Sequence, residues 1–289
     1  MPKNEAKNKK NSEFGVFVRR FCKNKTAVIG LILFVILILL AVFATVISPY
    51  PYDEMDMGNR LQPPSFAHPF GTDNLGRDIL SRILYGGRYS LSLGILSIAV
   101  AVVLSVIMGS VAGFFGGWLD ELIMRIMDII QSIPSTLIAI IIASVLGAGF
   151  GTTIIALAVP CISGYTRVLR AQVMQTGENE YVEAATSLSL KKATIMFKHI
   201  LPNSWAPLIV SATMGLASAI LNASALSFVG LGVPTSIPEW GGMLSASRDY
   251  MRDRPYMVII PGVIIMITVL SLNLVGDGVR DALDPKLKD

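Results

Sequence analysis

The stretch of sequence that decides the fold is IIQSIPSTLIAIIIASVLGAGFGTTIIALAVPCISGYT, which runs from Ile129 to Thr166 and holds 38 residues without a charge. A helix needs about 20 apolar residues to cross the hydrocarbon core of a bilayer. The stretch is therefore long enough for two crossings. Clustered glycines favour a tight connection over a helix interior, so we place the break at Gly147, Gly149 and Gly151. This region predicts two membrane-spanning helices joined by a short turn.

Working outward from this pair, the same length criterion finds further long apolar runs on both sides. The run closest to the N-terminus is too long for the core of a signal peptide, so we interpret it as a retained anchor. The sequence predicts six spans, at residues 26–48, 89–116, 129–147, 152–170, 205–228 and 256–276.

The overall composition supports an integral membrane protein. Of the 289 residues, 53% are hydrophobic and 15% are charged, and the mean hydropathy is +0.61. Soluble domains carry about 25% charged residues, and disordered chains have low hydrophobicity and high charge. The net charge of +4 does not indicate nucleic-acid binding, because the sequence predicts no soluble domain to carry a basic face. We expect membrane lipid, and no nucleic acid, as a partner.

The distribution of cations predicts the orientation. Eight of the 24 Lys+Arg lie in residues 1–25. With both termini in the cytoplasm, the cytoplasmic segments carry 17 Lys+Arg and the outer segments carry seven. The resulting organisation is a basic cytoplasmic segment, a first span, an extracytoplasmic loop, a five-helix core and a cytoplasmic tail, at residues 1–25, 26–48, 49–88, 89–276 and 277–289.

Motifs for chemistry on this chain are missing from the sequence. No G-x-x-x-x-G-K-[ST] motif is present to hold nucleotide phosphates. The two histidines, His68 and His199, are predicted on opposite sides of the membrane, and Cys22 and Cys161 are expected to be free thiols. We therefore expect no catalytic residue, no bound cofactor and no metal site on this chain, and we expect that it is not an enzyme.

Small and helix-breaking residues in the spans predict how the helices pack. Gly109, Gly113 and Gly117 repeat every four residues, which places them on one face that another helix can approach closely. Pro134 and Pro160 are predicted to interrupt the third and fourth spans. At the cytoplasmic end of the third span, Asp128 lies three residues after Arg125, so the two can pair.

The cytoplasmic residues 179–203, which we call the coupling segment, predict a short helix, a basic turn and a second amphipathic helix ending at Leu201-Pro202. Glu178, Glu180 and Glu183 crowd the first turn, where carboxylates complement the helix dipole. Two interpretations remain open. Such a helix pair either docks into a groove on a soluble partner or lies on the bilayer surface.

A resemblance favours docking. The segment is similar to the EAA loop of ABC importer permeases, with matches at Glu183, Ala184, Ala185, Leu201 and Pro202. Two positions depart from that pattern, because Ser189 replaces a glycine and His199 replaces an isoleucine. The glycine allows a tight turn, so Ser189 implies either a wider turn or an unusual backbone conformation.

A second motif precedes the span at 89–116. It resembles the G-T-D-x-x-G-R-D-x-x-S-R signature of the second, C-type permease of dipeptide, oligopeptide and nickel importers. The matching residues are Gly71, Thr72, Asp73, Gly76, Arg77, Asp78, Ser81 and Arg82. Read from its own residues, the segment predicts a short amphipathic helix lying flat at the outer surface, with Arg77, Ser81 and Arg82 turned away from its apolar face.

Two later segments extend the resemblance, which runs from about residue 15 to residue 287. Ser227–Gly232 matches the family's exit from the fifth span, and Asn273–Pro285 is similar to its closing motif. The family implies an all-α, six-transmembrane-helix type I ABC importer permease in a bacterial cell membrane. Its implied partners are a second homologous permease subunit, two ATP-binding subunits that hold ATP and Mg, and an extracytoplasmic substrate-binding protein.

The resemblance leaves the substrate and some of the roles open. Peptide import is the main hypothesis, a nickel or metal-chelator importer is the alternative within the family, and a non-transporting membrane scaffold or sensor is the alternative outside it. Polar residues of the fifth span are candidates for the pore lining, with hydrogen bonding between helices as the alternative role. They are Ser211, Thr213, Ser218, Asn222 and Ser224. Glu183, Ala184 and Ala185 are expected in an ATPase groove, where Ala185→Trp would weaken docking about 5- to 150-fold.

Overall fold

The computed structural model describes residues 13–283, and all regular secondary structure in this range is helical. In chain order the helices are α1 (Glu13–Lys23), α2 (Lys25–Val42), α3 (Ala44–Ile47), α4 (Ile79–Phe115), α5 (Gly117–Gln131), α6 (Ser135–Leu146), α7 (Phe150–Gly177), α8 (Glu180–Ser187), α9 (Lys192–Thr194), α10 (Ala206–Phe228), α11 (Trp240–Ser247) and α12 (Tyr256–Leu283). A π-helical turn at Ile195–Ile200 and a 3₁₀ turn at Leu201–Asn203 continue α9.

Five of these helices, α2, α4, α7, α10 and α12, are long and apolar enough to cross a membrane. The pair α5 and α6 meets the same criterion together, with an 89° bend between the two helices. Counting this pair as one broken span gives six crossings, in agreement with the predicted all-α membrane fold. The shape of this bent pair differs from the prediction, which was a single helix at 129–147. Pro134 lies at the bend, where it lacks the N–H that would continue the helix.

Pro160 behaves differently from Pro134. It lies inside α7, which continues without a break from Phe150 to Gly177. The connection between α6 and α7 falls at Gly147–Gly149, within the predicted glycine cluster. Gly147 has φ +83°, a left-handed conformation that glycine adopts without strain.

The most extensive helix contact in residues 13–283 joins α4 and α7. Two of the three glycines that were predicted to share one helix face make this contact possible. A Cβ at Gly109 would lie 2.9 Å from the Thr166 carbonyl oxygen, and one at Gly113 would lie 2.8 Å from the Arg170 carbonyl oxygen. Gly117 has open space around it instead and begins α5 with φ +58°.

Two ion pairs hold α5 against α7. Arg170 Nε and Nη2 donate to the two carboxylate oxygens of Asp120, and Arg167 Nη2 donates to Asp128. The prediction that Arg125 pairs with Asp128 is therefore wrong. The cause is the bend after α5, which lays the helix across α7 and brings Asp128 to Arg167.

The two ends of the helix bundle collect different parts of the chain. At one end α1 packs on the last turns of α12, the Asn24 side-chain amide donates to Asp281 at 3.0 Å, and the coupling segment joins α7 to α10. At the other end Arg82, near the start of α4, donates to the carbonyls of Tyr52 and Thr235 at 3.2 and 3.0 Å, which ties the loop at 48–78 to the loop after α10. The two segments with recognisable motifs therefore lie at opposite ends.

Candidate functional site

The coupling segment folds onto the bundle through one face of α8 and the π-helical turn. Val182 and Ala185 are each 5% exposed and pack in one cluster with Ile195, Ile200 and Leu201. Ala185 is thus part of the core of this chain. The expected contact with an ATPase groove requires an exposed side chain at this position, so the burial of Ala185 argues against that contact. The residue before it has the opposite environment, since Ala184 is exposed.

Away from these buried positions, the coupling segment exposes large apolar side chains. We call these residues the exposed apolar patch: Tyr181 at 45%, Leu188 at 76%, Leu190 at 40% and Phe197 at 63% exposed. Glu183 and Pro202 are also exposed, as are Lys191, Lys192 and Lys198, which neighbour Leu190 and Phe197 in the chain. An apolar surface rimmed by polar residues is typical of a protein interaction site.

Ser189 turns the chain between α8 and α9. Its φ of +57° is in the left-handed region, which costs a residue with a Cβ about 1–2 kcal/mol. Its N–H donates to the Thr186 carbonyl at 2.9 Å, and the N–H of Leu190 donates to the Ala185 carbonyl at 3.3 Å. The turn thus keeps the tight geometry of a glycine, with an unusual backbone conformation at Ser189.

His199, the other departure from the EAA pattern, is half-buried in the π-helical turn. Its carbonyl accepts a hydrogen bond from the Asn203 side-chain amide at 2.6 Å. After Asn203, Ser204 Oγ lies 2.9 Å from the Ile200 carbonyl and 3.1 Å from Thr176 Oγ1. The contact with Thr176 anchors the end of the segment on α7.

A cavity of about 260 Å³ lies between the coupling segment and the bundle. Its walls include Gly113 and Phe114 near the end of α4, Val173 of α7, and Val182 and Ile195 of the coupling segment. The end of α4 and the coupling segment therefore share one packing region.

The signature residues at the other end of the bundle are buried. Asp73 accepts hydrogen bonds from Arg77 Nε at 2.7 Å and from the backbone N–H groups of Leu75 and Arg77 at 2.8 and 3.0 Å. Arg82 Nε lies 3.8 Å from the same carboxylate. The side chains of Arg77 and Arg82 are 5% and 3% exposed. A single carboxylate therefore compensates two buried guanidinium groups.

Asp78 begins α4. Its Oδ2 accepts hydrogen bonds from the backbone N–H and hydroxyl of Ser81 at 2.7 and 2.8 Å, and its Oδ1 lies 3.0 Å from His68 Nδ1. Thr72 also contributes, since its hydroxyl donates to the Asn59 carbonyl. Gly71 and Gly76 supply left-handed turns, with φ of +78° and +75°.

This arrangement corrects the amphipathic-helix prediction. Residues from Ile79 onward are the first turns of α4, which continues to Phe115 without lying flat at the surface. Arg77, Ser81 and Arg82 are at most 4% exposed, so they face protein. Sequence periodicity missed this because their partners, such as the Thr235 carbonyl bonded to Arg82, are distant in the chain.

A buried helix beside this loop was not predicted from the sequence. Glu239, which is fully buried, caps α11 by accepting from the N–H groups of Gly241 and Gly242 at 2.9 and 2.7 Å. Burial raises the pKa of the Glu239 carboxyl, and these donors and the Ser90 hydroxyl oppose that rise. Trp240 Nε1 donates to the Ile83 carbonyl at 3.0 Å. An acidic residue directly before Trp-Gly-Gly was the available signal, since a carboxylate is stabilising at a helix N-terminus.

The five candidate pore positions on α10 do not share one environment. The hydroxyls of Ser211, Thr213 and Ser224 donate to carbonyls of their own helix at 2.9, 2.7 and 3.0 Å. Ser218 and Asn222 instead line a cavity of about 300 Å³ together with residues of α6 and α7.

A second, wider groove of about 700 Å³ runs along the other side of α10, between it and α12. Its lining is apolar except for Ser224 and Asn273, and Asn273 is exposed. Ala225 and Val229 line both spaces, so α10 forms a ridge between two grooves.

Comparison with protein families gives two matches. Residues 101–289 match the family of the inner membrane component of binding-protein-dependent transport systems. Residues 12–64 match the N-terminal transmembrane domain of oligopeptide transport permease C. The first match alone covers more than half of the chain.

Similar chains extend over nearly the whole length. The dipeptide transport system permease protein DppC of Alkalihalophilus pseudofirmus is 46% identical over 266 residues, which are 92% of this chain and 88% of that one. The oligopeptide transport system permease protein OppC of Bacillus subtilis is 42% identical over 93% of this chain and 88% of its own length. The glutathione transport system permease protein GsiD of Escherichia coli is 39% identical over 94% and 90%.

Solved structures show the same fold at lower identity. A chain of the inward-facing MetNI methionine ABC transporter has a TM-score of 0.54 at 19% identity, covering 68% of this chain and 94% of that one. A chain of an amino acid ABC transporter with histidines has a TM-score of 0.53 at 16% identity, covering 69% and 96%. This protein is a multi-pass membrane permease of the binding-protein-dependent transport family, with the N-terminal domain of the oligopeptide permease C type.

Proposed function

We propose that this chain is one permease subunit of an ABC importer that carries short peptides into the cell. The observation that carries the proposal is its similarity over more than nine-tenths of its length to permeases named for dipeptides, oligopeptides and glutathione. Its partners would be a second permease subunit, two ATP-binding subunits that hold ATP and Mg, and an extracytoplasmic substrate-binding protein. This chain contributes no catalytic residue.

The coupling segment is the proposed contact with an ATP-binding subunit. In support, the exposed apolar patch lies outside the spans, on a segment whose other face is fixed to α4 and α7. Phe197 and Leu188 provide the apolar contact, and Ala184 and Glu183 add exposed surface on α8. The buried Ala185 positions this surface without touching the partner.

The proposed substrate pathway runs along the exposed ridge of α10, with the second permease covering the two grooves. An amide exposed to hydrocarbon lacks hydrogen-bond partners, which costs several kcal/mol. Asn222 and Asn273 both face these grooves, so water, substrate or a polar partner surface should lie against them.

Transport by the complete complex tests the function. The chain, its partner permease, the ATP-binding subunits and the binding protein should be reconstituted in vesicles and offered a dipeptide, a pentapeptide and a nickel–chelator complex. We expect ATP-dependent uptake of a peptide. Uptake of the nickel complex alone would replace the peptide proposal with the metal-importer alternative. Failure of the chain to retain ATP-binding subunits on purification would favour the scaffold alternative.

The pathway has its own test. Asn222→Leu should lower peptide uptake severalfold without changing assembly, because it removes an amide from the groove. Ser211→Ala is the matched control, since its hydroxyl is bonded to the carbonyl of Pro207 in its own helix. Equal uptake by both variants and the unaltered chain would contradict the assignment of the pathway to α10.

Localisation in a bacterial cell membrane with both termini in the cytoplasm completes the proposal. A cysteine replacing Gly58 in the outer loop should react with an impermeant thiol reagent on intact cells. A cysteine replacing Asn8, which lies outside the described residues, should not. Labelling at position 8 alone would show that the chain has the opposite orientation in the membrane.

A further inference from the structure

Helix α1 is amphipathic, and its apolar side is fixed to the bundle. Phe17 and Phe21 lie one turn apart and pack with Val279 and Ala282 in the last turns of α12. Gly278 makes room for this contact, since a Cβ there would lie 2.9 Å from the Phe21 ring. The orientation of α1 on the bundle is therefore set by packing.

The opposite side of α1 is cationic. Arg19, Arg20 and Lys23 lie within about 100° of one another around the helix axis, and Lys25 follows in the first turn of α2. We call these four residues the basic corner. None of them forms an ion pair with a side chain of residues 15–283. The nearby Asp281 carboxylate accepts a hydrogen bond from the Asn24 amide instead.

The basic corner lies at the level where the chain enters the bilayer. Asn24 caps α2 by accepting from the Ala27 N–H at 3.2 Å, and from Ala27 onward the residues of α2 are uncharged and apolar. Beside the cations on α1, Val18 and Cys22 are exposed and form an apolar edge. A helix with this pattern lies in the interface, with its cations at the depth of the lipid phosphates.

We propose that the basic corner binds the headgroup phosphate of an anionic phospholipid in the leaflet at this end of the bundle. The acyl chains would lie along exposed side chains in the first turns of α2, such as Ile29 and Ile32, each 54% exposed. Each cation near an anionic lipid surface contributes about fivefold in binding. The proposal rests on the chain crossing a membrane and is independent of the transported substrate.

Lipid retention by the purified full chain tests this site. The chain in detergent is titrated with phosphatidylglycerol or phosphatidylcholine of the same acyl chains, and bound lipid is counted by native mass spectrometry. The preference for phosphatidylglycerol should fall at least tenfold in the triple variant Arg19→Gln, Arg20→Gln, Lys23→Gln. The variant Arg19→Lys, Arg20→Lys keeps the charges and should keep most of the preference.

A matched triple variant, Lys191→Gln, Lys192→Gln, Lys198→Gln, removes three cations from the coupling segment at the same end of the bundle and should bind phosphatidylglycerol normally. Equal losses in the two triple variants would overturn the assignment. So would undiminished lipid retention in the α1 variant. Displacement of the lipid by an equal concentration of inorganic phosphate would also overturn it, by showing a site for free phosphate.

Cys22 provides a second measurement that does not depend on removing charges. A nitroxide placed on Cys22 in a Cys161→Ser background should collide with dissolved oxygen and with a water-soluble relaxation agent to similar extents, as expected at interface depth. Collision with the water-soluble agent alone would place α1 in solution and contradict the site.

Discussion

The outer loop with its signature motif and the coupling segment are stabilised in opposite ways. The outer loop is held by charged groups that are almost fully buried, with Asp73, Arg77 and Arg82 at its centre. The coupling segment is held by apolar contacts of Val182 and Ala185, and its polar bonds are local apart from the Ser204–Thr176 contact at its end. Buried ion pairs fix one geometry and cost several kcal/mol to break, whereas apolar contacts tolerate small shifts. We infer that the outer loop is a rigid support and that the coupling segment is a surface able to adjust to a partner.

The largest effect should follow from breaking the outer network. Asp73→Ala removes the one carboxylate of residues 15–283 that lies within 4 Å of the buried Arg77 and Arg82 side chains, which should lower the free energy of unfolding by about 3–5 kcal/mol. Thermal denaturation of the purified chain in detergent measures this loss. Asp249→Ala is the control, because Asp249 and Arg248 are 87% and 64% exposed. A similar stability for both variants would show that the outer loop is not a rigid support.

The second effect concerns binding rather than stability. Phe197→Ala removes a large exposed side chain from the exposed apolar patch and should weaken docking of an ATP-binding subunit by about 1–3 kcal/mol, or about 5- to 150-fold. The stability of the chain alone should not change. Co-purification of the ATP-binding subunit measures docking. Met251→Ala at the other end is the matched control, because Met251 is 59% exposed and Phe197 is 63% exposed. Normal retention of the subunit by the Phe197 variant would show that the exposed apolar patch is not part of the interface with the ATP-binding subunit.

Neighbouring alanines separate the two faces of α8. Ala185→Trp overfills the core under the coupling segment and should destabilise it by about 1–3 kcal/mol, which limited proteolysis of residues 179–203 detects. Ala184→Trp should leave the segment resistant to protease and reduce docking of the ATP-binding subunit. If Ala185→Trp lowers docking and leaves the segment protease-resistant, Ala185 touches the partner after all.

The smallest effect should be stabilising. Ser189→Gly relieves the left-handed strain at φ +57° and should stabilise the turn by about 1 kcal/mol. Ser187→Gly, two residues earlier at the end of α8, should instead destabilise the helix by about 0.5–1 kcal/mol. Hydrogen exchange of the amides in the coupling segment distinguishes the two. If both variants change the hydrogen-exchange protection in the same direction, the backbone conformation of Ser189 does not destabilise the turn.

The spans were predictable from the sequence because crossing a bilayer requires length and low charge, and both are local properties. A close helix contact at Gly109 and Gly113 was likewise predictable from their spacing, whereas the identity of the partner helix, α7, and the open space at Gly117 were not. For Ser189 the pattern left two alternatives, and the positive φ supports the unusual backbone conformation.

Properties that depend on distant contacts were not predictable. Arg77 and Arg82 are charged, so an isolated helical pattern places them toward water, yet Asp73 and the carbonyls of Tyr52 and Thr235 surround them. In the EAA motif, adjacent alanines point about 100° apart on a helix. The sequence does not say which of the two faces the bundle.

The unbroken length of α4 has a mechanical consequence. Its 37 residues extend about 55 Å, well beyond a hydrocarbon core of about 30 Å. Asp78 and Arg82 fasten one end to the outer loop through His68 and the Tyr52 carbonyl, and Gly113 and Phe114 adjoin the coupling segment at the other end. A tilt of 10° about the midpoint of such a rod displaces each tip by about 5 Å in opposite directions. A load applied by one partner at one surface of the membrane would thus reach the other surface as leverage, without any helix changing its internal shape.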